Sequence, residues 1–292
     1  MISLKQLQVF IAVAQYQNVS RAAEQLCLTQ SATSVSLSQL EKNLNFLLFD
    51  RKGKKLVINQ QGHQILPKAK NILENLFELE NMLQSTELTG TLIIGASSTV
   101  GNYLLPKPLS VFKTGHPNIA LSLSIQNTRK VIEKALNYDI DIGIIEGIET
   151  HPELAIEPIM MDELVFIARK NSPLSNRILN HSDLEKCQWV LREKGSGTRQ
   201  YIDYHVLATL NNVHTFIELN HFEAIKEVVK NSETISCISR IILSKEDLKE
   251  ISILNVPEYH LTRSFYSVLH KKKHQSQILR KWLSMLTHLA HD

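Results

Sequence analysis

Apolar residues at Leu4, Leu7, Phe10 and Ala14 recur every three or four positions, which predicts a helix at the start of the chain. A second short helix is expected after Ser20, read as its N-cap, with Ala22, Ala23 and Leu26 as a small packing face. Thr29 is expected to cap a third helix. There Thr33, Leu37, Leu40 and Leu44 fall on one side of a 3.6-residue wheel and must face a core. The opposite side then presents Ser31, Val35, Ser38, Gln39 and Lys42, with Ser34 on the flank. LLFDRKGKKLVIN, residues 47–59, alternates around a Lys-Gly turn and reads as a β-hairpin. One long helix is expected over residues 61–88. In it Ile65, Ala69, Ile72, Leu76, Leu79 and Leu83 form a heptad seam, covered either by the domain's own core or by a second subunit.

From Gly90 the period changes. GTLIIGA (90–96), IALSLSI (119–125), DIDIGII (139–145) and LVFIA (164–168) read as strands. Helical segments such as Tyr103–Lys113 and Arg129–Asn137 lie between them, and the alternation predicts an α/β domain with mostly parallel strands.

The 292 residues suit about two domains. A net charge of only +3 means that any nucleic-acid function must rest on a local patch. Such a patch exists. Residues 1–62 hold Lys5, Arg21, Lys42, Arg51, Lys52, Lys54 and Lys55 against Glu24, Glu41 and Asp50, a surplus that exceeds the charge of the whole chain. Cys27, Cys187 and Cys237 form no CxxC pair and read as small core hydrophobes in a reducing compartment, the cytoplasm. VFIAVA (9–14) lacks a cleavage site, and no apolar run is long enough to span a membrane. HKKKH, 270–274, reads as a solvated loop.

No catalytic or metal constellation is visible, and no cofactor is expected. KGSGT is neither a nucleophile elbow nor a phosphate loop, there is no HExxH, and His288 and His291 read as surface residues. Hydroxyls, amides and small apolar groups do read base edges, so the third helix can specify sequence despite its few charges. Taken alone, its outer face is equally an ordinary solvated surface. The hairpin beside it shifts the balance, because Arg51, Lys52, Lys54 and Lys55 would neutralise phosphates, supplying affinity and register.

LKQLQVFIAVAQYQNVSRAAEQLCLTQSATSVSLSQLEKNLNFLLFDRKGKKLVINQQG resembles the winged helix-turn-helix of LysR-type transcriptional regulators. It carries Phe10, Ala22–Ala23, Leu26, Gln30, Ser34, Leu40–Glu41, Leu44 and Leu48–Phe49–Asp50–Arg51 in order. Ser31 stands where the family usually has Pro, and Asn45 where it usually has Gly; Asn tolerates the left-handed conformation of a helix cap. Arg21 and Gln30 complete the implied DNA-binding set. GASSTVGNYLLP (95–106), DIDIGIIEG (139–147), WVLREKGSGTR (189–199) and EAIKEVVK (223–230) resemble the family's effector domain. Within the family they are most like the CysL-like and YeiE-like branch linked to sulfur metabolism.

The resemblance implies a DNA-binding domain over 1–60, a dimerising linker helix over 61–88, and a two-lobed α/β effector domain of the type 2 periplasmic-binding-protein fold over 89–292. Lobe I would comprise about 89–162 and 267–292, and lobe II about 163–266, with crossings near Met161–Leu164 and Phe265–Leu269. Ser97, Ser98 and Thr99, and Gly195, Ser196, Gly197, Thr198 and Arg199, each lie ahead of a helical pattern. Such N-termini favour anions, although ordinary capping explains each of them singly. Asn127, Thr128 and Glu146 end strands and would reach the same cleft; His221 and Glu223 are weaker candidates. Glu146 would repel an anion, bind an ammonium group or accept a proton from a protonated oxyanion. The expected partners are promoter DNA, a small anionic or zwitterionic effector, a second subunit (and beyond it a tetramer) and RNA polymerase. The alternative is a constitutive DNA-binding regulator whose C-terminal module serves oligomerisation or solute binding without switching.

Overall fold

The computed structural model describes residues 1–52, 55–82, 88–147 and 150–288. The chain forms two compact units, Met1–Glu87 with Lys272–Gln277, and Leu88–Lys271 with Ile278–Asp292.

The first unit holds α1 (Leu4–Tyr16), α2 (Val19–Gln25), α3 (Gln30–Leu44), the antiparallel hairpin β1 (Phe49–Lys52) and β2 (Lys55–Ile58), and α4 (Gln60–Met82). Its core joins Leu7, Phe10, Val13, Ala22, Leu37, Leu40, Leu48 and Phe49. Thr29 caps α3 as the sequence predicts, accepting from Ala32 N at 3.2 Å. Asn45 ends the helix with φ 61°, in the left-handed region where Asn replaces Gly at modest cost. The cap of α2 is Asn18 rather than Ser20: its Oδ1 accepts from Ser20 N at 2.8 Å and Arg21 N at 3.2 Å, and the helix starts earlier. Cys27 is also not a core residue. It sits in the turn after α2 with φ 53° and is exposed. Cys187 and Cys237 are buried, as expected of small hydrophobes.

The seam of α4 divides. Ala69 is buried and Ile65 packs against the same core, whereas Ile72 and Leu79 stay 47% and 61% exposed and Leu76 is half-buried. Leu83 lies outside the described residues. HKKKH is not a free solvated loop, because Lys273 is buried against Glu74 of α4 within this unit.

The second unit is built on a nine-stranded sheet. In chain order come β3 (Gly90–Ser97), a π-helical turn (Val100–Leu104), α5 (Pro106–Gly115), β4 (Ile119–Gln126), α6 (Thr128–Leu136), β5 (Ile142–Glu146) and β6 (Leu154–Arg169). Then follow α7 (His181–Glu185), β7 (Gln188–Arg192), α8 (Gly197–His205), β8 (His214–Leu219), α9 (Phe222–Lys230), β9 (Thr234–Ser239), α10 (Asp247–Glu250), β10 (Ile251–Ile253), β11 (Thr262–His270) and α11 (Gln277–His288). The strand order is β4-β3-β5-β11-β6-β9-β7-β8, with β10 paired to β6.

Parallel pairing holds within each half, β3 with β4 and β5, and β7 with β8 and β9. The joining strands β11 and β6 run antiparallel to their neighbours, which the expectation of mostly parallel strands did not foresee. β6 is shared. It pairs with β11 up to Glu163 and with β9 from Leu164. Two lobes result, each with its own apolar core. Ile94, Phe112, Ile144 and Trp282 centre one; Phe166, Trp189, Ile202 and Cys237 centre the other. The helix expected over Tyr103–Lys113 is broken, because the π-helical turn precedes Pro106, which opens α5. Among the described residues no helix is long and apolar enough to cross a membrane.

Candidate functional site

In the first unit Thr33, Leu37 and Leu40 are buried under α3. Their spacing turns Gln30, Ser31, Ser34, Val35, Ser38, Gln39 and Lys42 outward, and all are exposed, as is Arg21 on α2. Val35 is 55% exposed although apolar, the kind of group that contacts a thymine methyl. The hairpin is held beside this face by Glu41, whose Oε1 accepts from Leu48 N at 2.8 Å, and by Asn59, whose Nδ2 donates to Leu47 O at 2.9 Å. Arg51 and Lys55 face each other's strands one register step apart and are exposed. Lys52 ends β1, and Lys54 lies outside the described residues.

In the second unit the predicted ligand residues meet at the junction of the lobes, in two groups. The first group gathers on β5, α6 and α8. Gly197 approaches so closely that a Cβ there would stand 1.9 Å from the Glu146 carbonyl oxygen. Gly195 has φ +92°, and a Cβ on it would lie 3.4 Å from Asn127 Nδ2. Thr128 Oγ1 donates to Glu146 O at 3.1 Å, and Arg129 N donates across the lobes to Gly195 O at 3.3 Å. Asn127 and Ser196 serve as N-caps of α6 and α8.

Glu146 does reach the junction, but its charge is answered within the protein. Its carboxylate receives Thr198 Oγ1 at 3.3 Å and lies 3.5 Å from Arg263 Nη2, with both ion-pair side chains 1% exposed. Arg263 also donates to Thr198 Oγ1 at 3.0 Å and to Asp162 at 2.8 Å, and Asp162 accepts from Ser239. Two carboxylates thus share one guanidinium at the point where β6 changes partners. Burial pushes the Asp162 carboxyl above its ordinary range, against the pull of Arg263 and Ser239.

The second group surrounds Ser97, Ser98 and Thr99. The cation that reaches it is Arg192, not Arg199. Arg199 is occupied by Asp203 at 2.7 Å, Glu218 at 2.8 Å and the Arg192 carbonyl at 2.7 Å. Arg192 donates through Nη2 to Ser98 Oγ at 3.3 Å, pairs with Glu193 at 2.8 Å, and lies 4.2 Å from the ring centroid of Phe222. Its Nη1 is buried without a partner, as are Ser97 Oγ and Thr99 Oγ1. Buried polar atoms are nearly always hydrogen-bonded, and leaving one unsatisfied costs about 1–3 kcal/mol. Three donor-capable orphans on segments joined by a direct contact therefore suit an acceptor-rich guest.

Nearby, Tyr103 donates to Glu223 at 2.6 Å, a further link between the lobes, while His221 is exposed ahead of α9. Burial and the Glu223 carboxylate raise the Tyr103 phenol, so it remains a donor. Arg192 escaped the sequence reading although it lies in the quoted WVLREKGSGTR; only its place at the end of a strand, the same logic that selected Glu146, pointed to it. No group of His, Cys, Asp and Glu able to hold a metal ion is present among the described residues.

Residues 4–63 match the family described as bacterial regulatory helix-turn-helix protein, lysR family, and residues 85–290 match the LysR substrate binding domain. The chain is 38% identical to the HTH-type transcriptional regulator YeiE of Escherichia coli, covering 97% of this chain and 96% of that one. It is 34% identical to the HTH-type transcriptional regulator CysL of Bacillus subtilis, covering 88% and 87%. To the RuBisCO operon transcriptional regulator of Allochromatium vinosum it is 30% identical, covering 94% and 92%. Among solved structures, full-length OxyR from Pseudomonas aeruginosa has the same fold, with TM-score 0.80 at 19% identity over 99% of this chain and 98% of that one.

Proposed function

The chain belongs to the LysR family of transcriptional regulators, and we propose that a small anion held at its lobe junction controls how it binds promoter DNA. The observation that carries the proposal is the set of unpartnered buried atoms Ser97 Oγ, Thr99 Oγ1 and Arg192 Nη1. All three can donate, and one belongs to a permanent cation. Ser98 already touches Arg192 and completes the segment. Asn127, Thr128, Gly195, Ser196, Gly197 and Thr198 would set how closely the lobes approach. Arg199 would hold α8 and β8 together rather than touch the guest. Glu146, neutralised by Arg263, offers no free carboxylate to an ammonium group, which favours a plain anion over a zwitterion. Within that class a sulfur oxyanion fits the branch the sequence resembles. The higher identity to YeiE and CysL than to the RuBisCO operon regulator supports the same choice.

On DNA, α3 reads bases with Ser31, Ser34, Val35, Ser38, Gln39 and Gln30, while Arg21, Lys42, Arg51, Lys52, Lys54 and Lys55 hold phosphates. The stripe of exposed Ile72 and Leu79 with half-buried Leu76 on α4 supports a homodimer through the linker helix, and two recognition helices imply two half-sites. Tetramer formation and contact with RNA polymerase follow as further steps of the same reading.

The test is a thermal-shift series on the full-length protein with sulfite, sulfate and phosphate, run beside DNA-binding measurements. A bound anion at one hundred times its Kd adds about 2.7 kcal/mol to stability. At least one sulfur oxyanion should stabilise the protein and alter DNA affinity, and Arg192→Gln should abolish both effects. If no anion shifts the melting temperature and DNA binding never changes, the constitutive reading replaces this one.

A further inference from the structure

Among the described residues of the second unit, the buried arginines and lysines are Arg192, Arg199, Lys226 and Arg263. Each is answered by carboxylates. Arg199 pairs with Asp203 and Glu218, Lys226 with Glu223 and Asp247, and Arg263 with Glu146 and Asp162. Arg192, the one that reaches Ser98, is no exception. Glu193 takes its guanidinium along one edge, Oε2 accepting from Nε at 2.8 Å and Oε1 from Nη2 at 3.1 Å. The Arg192 side chain is 1% exposed and that of Glu193 27%, so the pair is largely shielded from water. Arg129, beside Gly195, is exposed, and its charge is hydrated and screened.

The same contacts fix the orientation of the guanidinium. Besides the fork to Glu193, Nη2 donates to Ser98 Oγ at 3.3 Å, and Cζ lies 4.2 Å from the centroid of the Phe222 ring. Turning the group would break the fork and leave the ring, so Nη1 alone is presented, and it has no partner. On either side of Ser98 in the chain, the buried hydroxyls of Ser97 and Thr99 can accept as well as donate. A guest here meets three hydrogen-bonding groups and no net positive charge from the Arg192–Glu193 pair. The cost of taking an ion out of water rises with the square of its charge, whereas its attraction to neutral dipoles rises only in proportion. A dianion would lose about four times the hydration of a monoanion for about twice the attraction. Three groups would also leave most of its lone pairs bare, while a monoanion that keeps a proton can donate to the two hydroxyls.

We propose that Glu193 is a positioning residue that makes this site selective for a singly charged oxyanion, by holding Arg192 in place and cancelling its net charge. The inference rests on the reading of the lobe junction as an anion site. It narrows the guest within that class: among sulfur oxyanions, to those with one charge, a sulfonate or a form that keeps a proton.

Isothermal titration calorimetry on the full-length protein tests it, at constant ionic strength and at a pH below the second ionisation of phosphate. There sulfate is doubly charged, while dihydrogenphosphate and methanesulfonate are singly charged, the latter without a proton. Both monoanions should bind the wild type about tenfold or more tightly than sulfate. Glu193→Gln keeps the shape of the pair and removes its negative charge. The added net charge acts once on a monoanion and twice on a dianion. The preference should therefore shrink about tenfold, the effect of one further unit-charge interaction at an effective dielectric between protein surface and water. Glu193→Asp keeps the charge and should keep the preference even where overall affinity falls. Each ratio is taken within one protein, so a general loss of stability does not alter it. Sulfate binding the wild type as tightly as methanesulfonate, or a preference unchanged in Glu193→Gln, overturns the proposal and leaves the anion site standing. If none of the three anions binds the wild type, the anion-site reading itself fails, and this inference with it.

Discussion

Gly197→Ala is a one-methyl wedge at the lobe junction. The added Cβ would stand 1.9 Å from the Glu146 carbonyl oxygen, 2.8 Å from its carbon and 2.7 Å from Thr128 Oγ1. A relaxed carbon–oxygen contact is about 3.3 Å, so the facing backbone must retreat by roughly 1.4 Å. The obstacle is main chain, not the end of a flexible side chain, and Glu146 is anchored by its place in β5 and by Arg263. The lobes have to part there, stretching the Thr198-to-Glu146 and Arg129-to-Gly195 hydrogen bonds, each 3.3 Å long. Overpacking of this kind costs about 1–3 kcal/mol. On the proposed reading, in which the bound anion holds the lobes together, this strain lowers the population of the anion-competent arrangement about 5- to 150-fold.

Gly115→Ala is the matched control, since a Cβ at that helix end meets nothing within 4 Å. The assay compares both variants with wild type in anion-induced thermal shift and in DNA binding by anisotropy. Gly197→Ala should lose the anion response and keep DNA affinity, while Gly115→Ala keeps both. A Gly197→Ala protein with a wild-type anion response would refute the assignment of this contact to lobe closure.

Two further outcomes follow from the geometry. Ser34→Ala with Val35→Ala should change the preferred DNA sequence, at about 1–3 kcal/mol per lost base contact, and leave the salt dependence unchanged; Arg51→Ala with Lys55→Ala should flatten the salt dependence and spare the preference, both read from binding isotherms at several salt concentrations. Asp162 and Asp247 should act on stability with opposite sign. Burial raises the Asp162 carboxyl, so the folded state keeps a proton the unfolded chain has released, and this contribution is lost as pH rises from the ordinary carboxylate range through the raised value. Asp247 is also desolvated, yet Lys226 and Ser244 hold its carboxyl far below that range, so its contribution is complete at neutral pH and lost as pH falls. Urea unfolding across pH should show that Asp162→Asn removes the alkaline-side decline just above the ordinary carboxylate range. An unchanged profile would place the proton elsewhere.

Much of the first unit was legible before its structure. Four residues spaced four, three and four apart fixed which side of α3 is buried, and the exposed side followed without further information. The cap of α2 was misplaced because Asn18 and Ser20 are both good capping residues and only the backbone path chooses between them. In the second unit the strands near Gly90, Ile119 and Ile142 were readable from their branched residues, but the antiparallel joining strands were not, since pairing direction leaves no trace in a single strand's pattern.

By itself, then, the chain determined the local elements, the hydroxyl- and amide-rich outer face of α3 and the charged hairpin after it, and the glycine- and hydroxyl-rich segments that meet at the lobe junction. These depend on spacing within one element or its near neighbours. Only the tertiary structure decided which charges remain available. Arg192 and Arg199 lie seven residues apart in one stretch, yet Asp203 and Glu218 occupy the second while the first reaches Ser98 with a donor to spare. Glu146 is neutralised by Arg263 from far along the chain, and Lys273 is drawn from an apparently solvated run onto Glu74. Whether a charge is free or answered depends on partners that only folding brings within a few ångströms, and the electrostatic interaction that settles it decays over that distance.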